Sequence, residues 1–264
     1  MRRRFNLLDG VFSILGGLIL LMVLLPLAST LLSSSPNQFI QAISDPEVLD
    51  AIGLTFGAAA IATLIALIGG VPLAYVLARR VFWGKSLVEM AINLPVVVPH
   101  TAAGIALLLV FGRQGLVGKF LYPLGVTFTD NLAGIVVAML FVSVSFLVTA
   151  SREAFAMVDK ELELIAFSDG ASPWQAFWYV TLPLAWRGIA SGALMMWARG
   201  ISEFGAVVIL AYHPKTAPVL IFQRFEGFGL KAAQPVAALL ILAVLLIFIL
   251  LYWISKPRNR NERE

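Results

Sequence analysis

Residues 160–183 read KELELIAFSDGASPWQAFWYVTLP, a polar and amphipathic stretch in the middle of a chain that is otherwise almost entirely apolar. Leu162, Ile165 and Ala166 recur at helical spacing, with Asp159, Lys160, Glu161 and Glu163 mostly off that stripe, which predicts a short surface helix over 159–168. Asp169-Gly170 ends it, because glycine supplies the left-handed backbone that a helix C-terminus favours. Ser172 followed by Pro173 is a cap and first-turn pair, so a second helix starts there and carries Trp174, Phe177 and Trp178 toward Leu182 and Pro183. The expectation is two short helices joined by a tight elbow at Asp169, Gly170, Ala171, Ser172 and Pro173. Taken alone, such a segment is either a handle for a partner or an ordinary amphipathic loop lying on a membrane surface.

The rest of the composition favours a membrane protein. With 60% hydrophobic residues, 13% charged and a mean hydropathy of +0.91, the chain is unlike a soluble globule, whose charged fraction is about 25%. The absence of cysteine excludes disulfides, thiolate metal sites and a cysteine nucleophile. A net charge of +4 comes mainly from the flanks of apolar segments, so it bears on orientation and does not imply nucleic acid.

Around the central stretch, apolar runs of crossing length predict spans at about 11–32, 52–78, 87–111, 132–150, 188–210 and 235–254. The first run follows Arg2, Arg3 and Arg4, and with Pro26 and Ala28-Ser29-Thr30 it also fits a cleaved signal peptide, against which stands its continuation through Leu31-Leu32. The second is rich in small residues (Gly57, Ala58, Ala59, Ala60, Gly69, Gly70) that allow close helix packing. The third is interrupted by LPVVVPH, residues 94–100. Pro95 and Pro99 must bend or unwind it, which fits a helix lining a pathway or a merely kinked packing helix. The fifth holds Arg199 and Glu203, four apart on one face: a structural ion pair or part of a pathway, since a charge at mid-bilayer costs at least about 2.5 kcal/mol.

Basic residues sort this arrangement. Arg2, Arg3, Arg4, Arg79, Arg80, Lys85, Arg152, Lys160, Arg187, Lys256, Arg258, Arg260 and Arg263 fall on one side, against Arg113, Lys119, Lys215, Arg224 and Lys231 on the other. Because Lys and Arg accumulate on the cytoplasmic side, six spans with both termini cytoplasmic is the expected topology, and residues 159–186 then lie in the cytoplasm. Residues 115–119, GLVGK, imitate a phosphate loop, but Arg113 stands where the first glycine belongs and Phe120 where Ser or Thr is required. Any ATPase is therefore a separate chain. No internal repeat, paired-carboxylate site or nucleophile-base arrangement is visible, and His100 and His213 alone argue no metal site. No cofactor is expected. A primary-transport permease, a secondary transporter or channel, and a membrane scaffold remain. Secondary carriers need intramembrane acids, for which only Glu203 and Glu89 qualify, and a scaffold has no use for the bent third span.

Gly170, nine residues, then Val180-Thr181-Leu182-Pro183 resembles the cytoplasmic loop of permease subunits of ABC importers, Glu-Ala-Ala, three residues, Gly, nine residues, Ile, any residue, Leu-Pro. Here Leu164, Ile165 and Ala166 occupy the leading positions, with Glu163 one place early, so only Ala166 matches there. Residues 94–104, LPVVVPHTAAG, and 198–206, ARGISEFGA, are similar to the third- and fifth-span signatures of the branch serving tetrahedral oxyanions, in particular molybdate/tungstate permeases; sulfate permeases share much of this pattern. The resemblance covers essentially residues 50–250. It implies an all-α membrane protein with the type I ABC importer permease fold, a homodimer carrying two cytoplasmic ATPase subunits and receiving substrate from an extracellular oxyanion-binding protein. It further implies an ATPase-coupling role for Glu163, Ala166, Asp169, Gly170, Ala171, Ser172, Pro173, Leu182 and Pro183. Pro95, Pro99, His100, Thr101, Arg199, Ser202 and Glu203 are the candidate pathway residues.

Overall fold

The computed structural model describes residues 7–255, with side chains for 8–249. The basic runs at the two ends, on which part of the orientation reading rests, lie outside the described residues. Every regular element among the described residues is helical: α1 (Leu7–Leu32), α2 (Pro36–Ser44), α3 (Pro46–Arg79), α4 (Lys85–Val97), α5 (His100–Phe111), α6 (Gly118–Leu121), α7 (Leu132–Met157), α8 (Lys160–Ser168), α9 (Pro173–Ala176), α10 (Leu182–Ile201), α11 (Gly205–Leu210), α12 (Ala217–Phe228) and α13 (Leu230–Ser255). The described residues form two units, 7–52 with 220–255 and 53–219.

In the first unit, α1 is apolar on every side and its most hydrophobic stretch is not buried by any of the described residues. A helix of that kind is built for lipid, since no face of it distinguishes core from solvent. α2 opens with a capping box in which the Gln38 amide donates to Ser35 Oγ and the Ser35 amide donates to Gln38 Oε1. Arg224 closes this unit, donating to Asp45 at 2.5 Å and to Glu47 at 3.2 Å. The Arg224 guanidinium holds the Asp45 carboxyl below the usual carboxylate range.

The second unit is organised on α7 and α10. Gly188 and Gly192, one turn apart, face Ala154 and Ala150: a Cβ on Gly188 would lie 2.4 Å from that of Ala154, and one on Gly192 2.7 Å from that of Ala150. Small residues at four-residue spacing on both helices let the backbones approach, the way helices associate where apolar solvent removes the hydrophobic drive. Leu77, Leu147, Phe155, Ile189 and Met196 fill the space beside this seam and are fully buried. The glycines of the second span contribute less than expected: Gly57 and Gly69 face open space, and Gly70 alone of these approaches a neighbour, 3.2 Å from Val148.

Among the described residues, four helices, covering 8–32, 46–79, 132–157 and 230–249, are long and apolar enough to cross a membrane, and the pair α4 and α5 adds a fifth if counted as one span. That pair is bent by 116° at Val98-Pro99. Pro95 does not break the helix; it lies inside α4, where it is the buried residue. Residues 188–210, read from the sequence as one crossing, are divided between α10 and α11 by a break at Ser202, Glu203 and Phe204.

Candidate functional site

Two clusters in the second unit bring together residues that the sequence singled out. The first lies at the elbow. Asp159 accepts the Glu161 amide to start α8, and α8 ends at Asp169 with Gly170 at φ +87°, the Gly170 amide donating to Phe167 O and that of Ala171 to Ala166 O. Ser172 and Gln175 form a second capping box and Pro173 occupies the first turn. From there the helix is continuous: α9 passes through a π-helical turn at 177–181 into α10, with Pro183 near the α10 N-terminus.

α8 is a surface helix whose facing the helical pattern leaves open. Its apolar stripe is outside, with Leu162, Leu164 and Ile165 exposed and Ala166 half-buried, while Glu163 points inward and is buried. The reason is a partner that helical periodicity cannot reveal. Arg79, at the end of α3, donates Nε–H to Glu163 Oε1 at 2.9 Å and Nη2–H to Val158 O at 2.9 Å, and the Thr181 hydroxyl donates to the same Glu163 oxygen at 2.7 Å. One carboxylate thereby ties together α3, the end of α7, α8 and the π-turn. Beneath it Tyr75, Phe155 and Phe177 meet at ring-centroid distances of 5.0–6.1 Å. Glu163→Ala leaves the Arg79 charge, 6% exposed, without its counter-ion, and is expected to lower the unfolding free energy by about 3–5 kcal/mol. The double change Arg79→Met with Glu163→Met is expected to cost much less; denaturant unfolding of the detergent-solubilised protein compares them. Asp169, Gly170, Ser172, Pro173 and Pro183 are exposed, and Ala171 and Leu182 half-buried. Arg79 and Thr181 carried no site signal in the sequence: an arginine closing a span reads as topology.

The second cluster forms where two broken helices meet. Gly104 on α5 and Gly205 on α11 let the backbones touch: a Cβ on Gly104 would lie 2.8 Å from Ile209 Cβ, and one on Gly205 2.7 Å from His100 Cβ. That contact sets His100, at the start of α5, against the break after α10. His100 Nδ1 lies 2.7 Å from Glu203 Oε2, and Arg199 Nη2 lies 2.8 Å from His100 Nε2 and 3.1 Å from Glu203 Oε2. Arg199 Nη2 lies almost equally close, 2.9 Å, to His100 Nδ1, so the guanidinium sits against both ring nitrogens. Glu203 Oε1 accepts the Ala206 amide and so starts α11. Ser202 Oγ accepts from Arg199 Nη1 at 3.1 Å and donates to Arg199 O at 2.9 Å.

The anion is therefore the buried member, 1% exposed, and the cation the outer one. Glu203 is held from behind while Arg199 and His100 are half-exposed and Ser202 and Thr101 are exposed beside them. Pro99 lies at the bend itself; Pro95 is a turn away inside α4. Chemically, this is a polar surface presenting a guanidinium, an imidazole edge and hydroxyls.

The architecture is that of the membrane subunits of ABC importers. It matches, over 93% of both chains with a TM-score of 0.73 and 17% identity, a chain of the bacterial alginate ABC transporter solved in complex with an alginate pentasaccharide-bound periplasmic protein. A second match is to the inward-facing MetNI methionine ABC transporter, with a TM-score of 0.60, 16% identity, and 78% of this chain and 92% of that one covered. Residues 70–258 fit the family described as binding-protein-dependent transport system inner membrane component, and the chain belongs to that family. It is 42% identical over 261 residues to the molybdate/tungstate transport system permease protein WtpB of Thermococcus kodakarensis, covering 98% of this chain and 100% of that protein. Against the protein of the same name from Pyrococcus furiosus it is 45% identical over 217 residues, 82% of each chain. With the probable sulfate transport system permease protein cysT of Chlorokybus atmophyticus it shares 35% over 235 residues, 86% of this chain and 82% of that protein.

Proposed function

We propose that this chain is the membrane-spanning permease subunit of an ATP-driven importer of molybdate and tungstate, working as a homodimer in the cell membrane. Two cytoplasmic ABC ATPase subunits hydrolyse the ATP, and an extracellular oxyanion-binding protein delivers the substrate. The observation that carries the substrate assignment is full-length similarity to molybdate/tungstate permeases at 42% identity. The sulfate permeases, at 35% identity, support sulfate as the second reading. Uptake by the reconstituted complex, with molybdate, tungstate and sulfate in competition, separates the two.

In this reading the elbow of residues 169–173 seats in a groove on the ATPase as a helix-in-groove contact. The outward apolar face of α8, with Leu162, Leu164 and Ile165, belongs to the same contact, and the Glu163 tie makes elbow and span ends move as one body. Six crossings, with α10 and α11 together forming the fifth, place both termini in the cytoplasm. Cysteine labelling is the check, the native chain having no cysteine: Ser44→Cys and Gln114→Cys are expected to label from outside intact cells, and Val81→Cys and Ser168→Cys only after permeabilisation. External labelling at Ser168→Cys overturns the topology and the ATPase contact with it.

At the broken-helix junction, Arg199, His100, Thr101 and Ser202 line the route of the oxyanion. Discontinuous helices at mid-membrane are where transporters expose backbone amides and polar side chains to substrate, and a single cation with hydroxyls compensates a dianion without holding it too tightly for release.

A further inference from the structure

Arg79 and Arg80 are neighbours with opposite fates: Arg79 is drawn inside onto Glu163, whereas Arg80 is exposed and makes no ion pair among the described residues. Arg80 stands at the end of a groove of about 580 Å³ between the C-terminal half of α3 and the stretch from Pro173 to Leu182. Leu67, Val71 and Val76 line one wall, Trp174 and Trp178 the other, and Arg80 is the only charged residue among those lining it. Both indoles are exposed, and tryptophan prefers the headgroup level of a bilayer, where an apolar ring and a polar N–H are both accommodated. The apolar surface continues outward along α3 through Leu64, Ile65 and Ile68, all exposed.

We propose that this groove binds one acyl chain of an anionic phospholipid of the inner leaflet, with the lipid phosphate on Arg80. The apolar walls need a hydrocarbon occupant, and the lone cation at the end selects a headgroup bearing negative charge; a cytoplasmic juxtamembrane cation faces the leaflet rich in such lipids. The leaflet assignment rests on the topology proposed above. Because one wall is the second span and the other leads out of the elbow, the bound lipid fills the seam across which elbow motion reaches the spans, so anionic lipid supports coupled ATP hydrolysis.

The test uses the assembled transporter in nanodiscs of phosphatidylcholine with and without phosphatidylglycerol. Native mass spectrometry is expected to find phosphatidylglycerol retained by the wild-type permease, and Arg80→Gln to lower that retention about fivefold, with Arg187→Gln, a cation outside the groove, leaving it unchanged. Ile68→Trp, which fills the groove with its own ring, is expected to lose the lipid and to make substrate-stimulated ATPase activity indifferent to phosphatidylglycerol. Equal retention by wild type and Arg80→Gln overturns the site. So does efficient disulfide formation between two Ile68→Cys copies, which would place a second permease there. Lipid retention lost in Arg80→Gln together with external labelling of Ser168→Cys keeps the site and moves it to the outer leaflet, so the two readings fail separately.

Discussion

Gly170→Trp is expected to abolish substrate-stimulated ATP hydrolysis and uptake while leaving the permease inserted and assembled. Gly170 sits at φ +87°, a conformation that costs an L-residue about 1–2 kcal/mol. That strain is too small to unfold a helical bundle, and a Cβ added there meets nothing within 4 Å. The indole therefore projects into space that this chain does not use. Under the proposed coupling role, what it strikes is the ATPase. Gly170→Ala supplies the control, because it carries the same backbone strain without the bulk; it is expected to retain most of the coupled activity. Measured side by side in proteoliposomes with the ATPase and the binding protein, the pair separates a contact surface from a folding requirement. Normal coupled transport by the Trp variant overturns the coupling assignment, and equal loss in both variants reduces Gly170 to a structural glycine.

The elbow was legible in the sequence because its signals are local. Ser172 with Pro173 and Gly170 at the end of an apolar stripe each state a backbone requirement that a neighbour within four residues satisfies, whereas Asp159, read from the pattern as part of the helix, is its N-cap. The facing of α8 was not legible, because Glu163 is turned inward by Arg79, 84 residues away in the chain. The break at Pro99 was likewise readable from the residue itself, while the break after Ile201 was not: no proline marks it, and it depends on Glu203 turning back to accept the Ala206 amide. Helix packing followed the same divide. A glycine-rich run drew attention to the second span, but the tightest approach of α7 and α10 is made by Gly188 and Gly192 against Ala150 and Ala154, a match that exists only once both helices are placed. His100 and Arg199 were each suspect from position alone. Their contact with one another and with Glu203 is a property of two broken helices meeting at Gly104 and Gly205.

Arg199→Gln is expected to leave assembly intact and to reduce oxyanion uptake about tenfold or more, the loss of one charge-assisted contact of about 1.5–3 kcal/mol. The opposing reading is an ion pair that only holds helices together. It predicts that removing the cation strands a buried carboxylate, that the single variant misassembles, and that Arg199→Gln with Glu203→Gln recovers both assembly and uptake, since removing both partners avoids a lone charge. The geometry argues against that outcome. Glu203, 1% exposed, keeps the His100 imidazole at 2.7 Å and the Ala206 amide at 2.9 Å when Arg199 is neutralised, and a glutamine at 199 still carries N–H donors. The anion therefore remains satisfied without the guanidinium, whereas nothing else in the cluster supplies a permanent positive charge to a passing dianion. Under the pathway reading the double variant gains nothing: it also loses the carboxylate that starts α11 and orients His100, so it assembles no better than the single variant and transports no faster. Size-exclusion chromatography of the purified complex reports assembly, and uptake at saturating binding protein reports transport. Recovery of uptake in the double variant removes Arg199 from the pathway and leaves the trio as a helix tie.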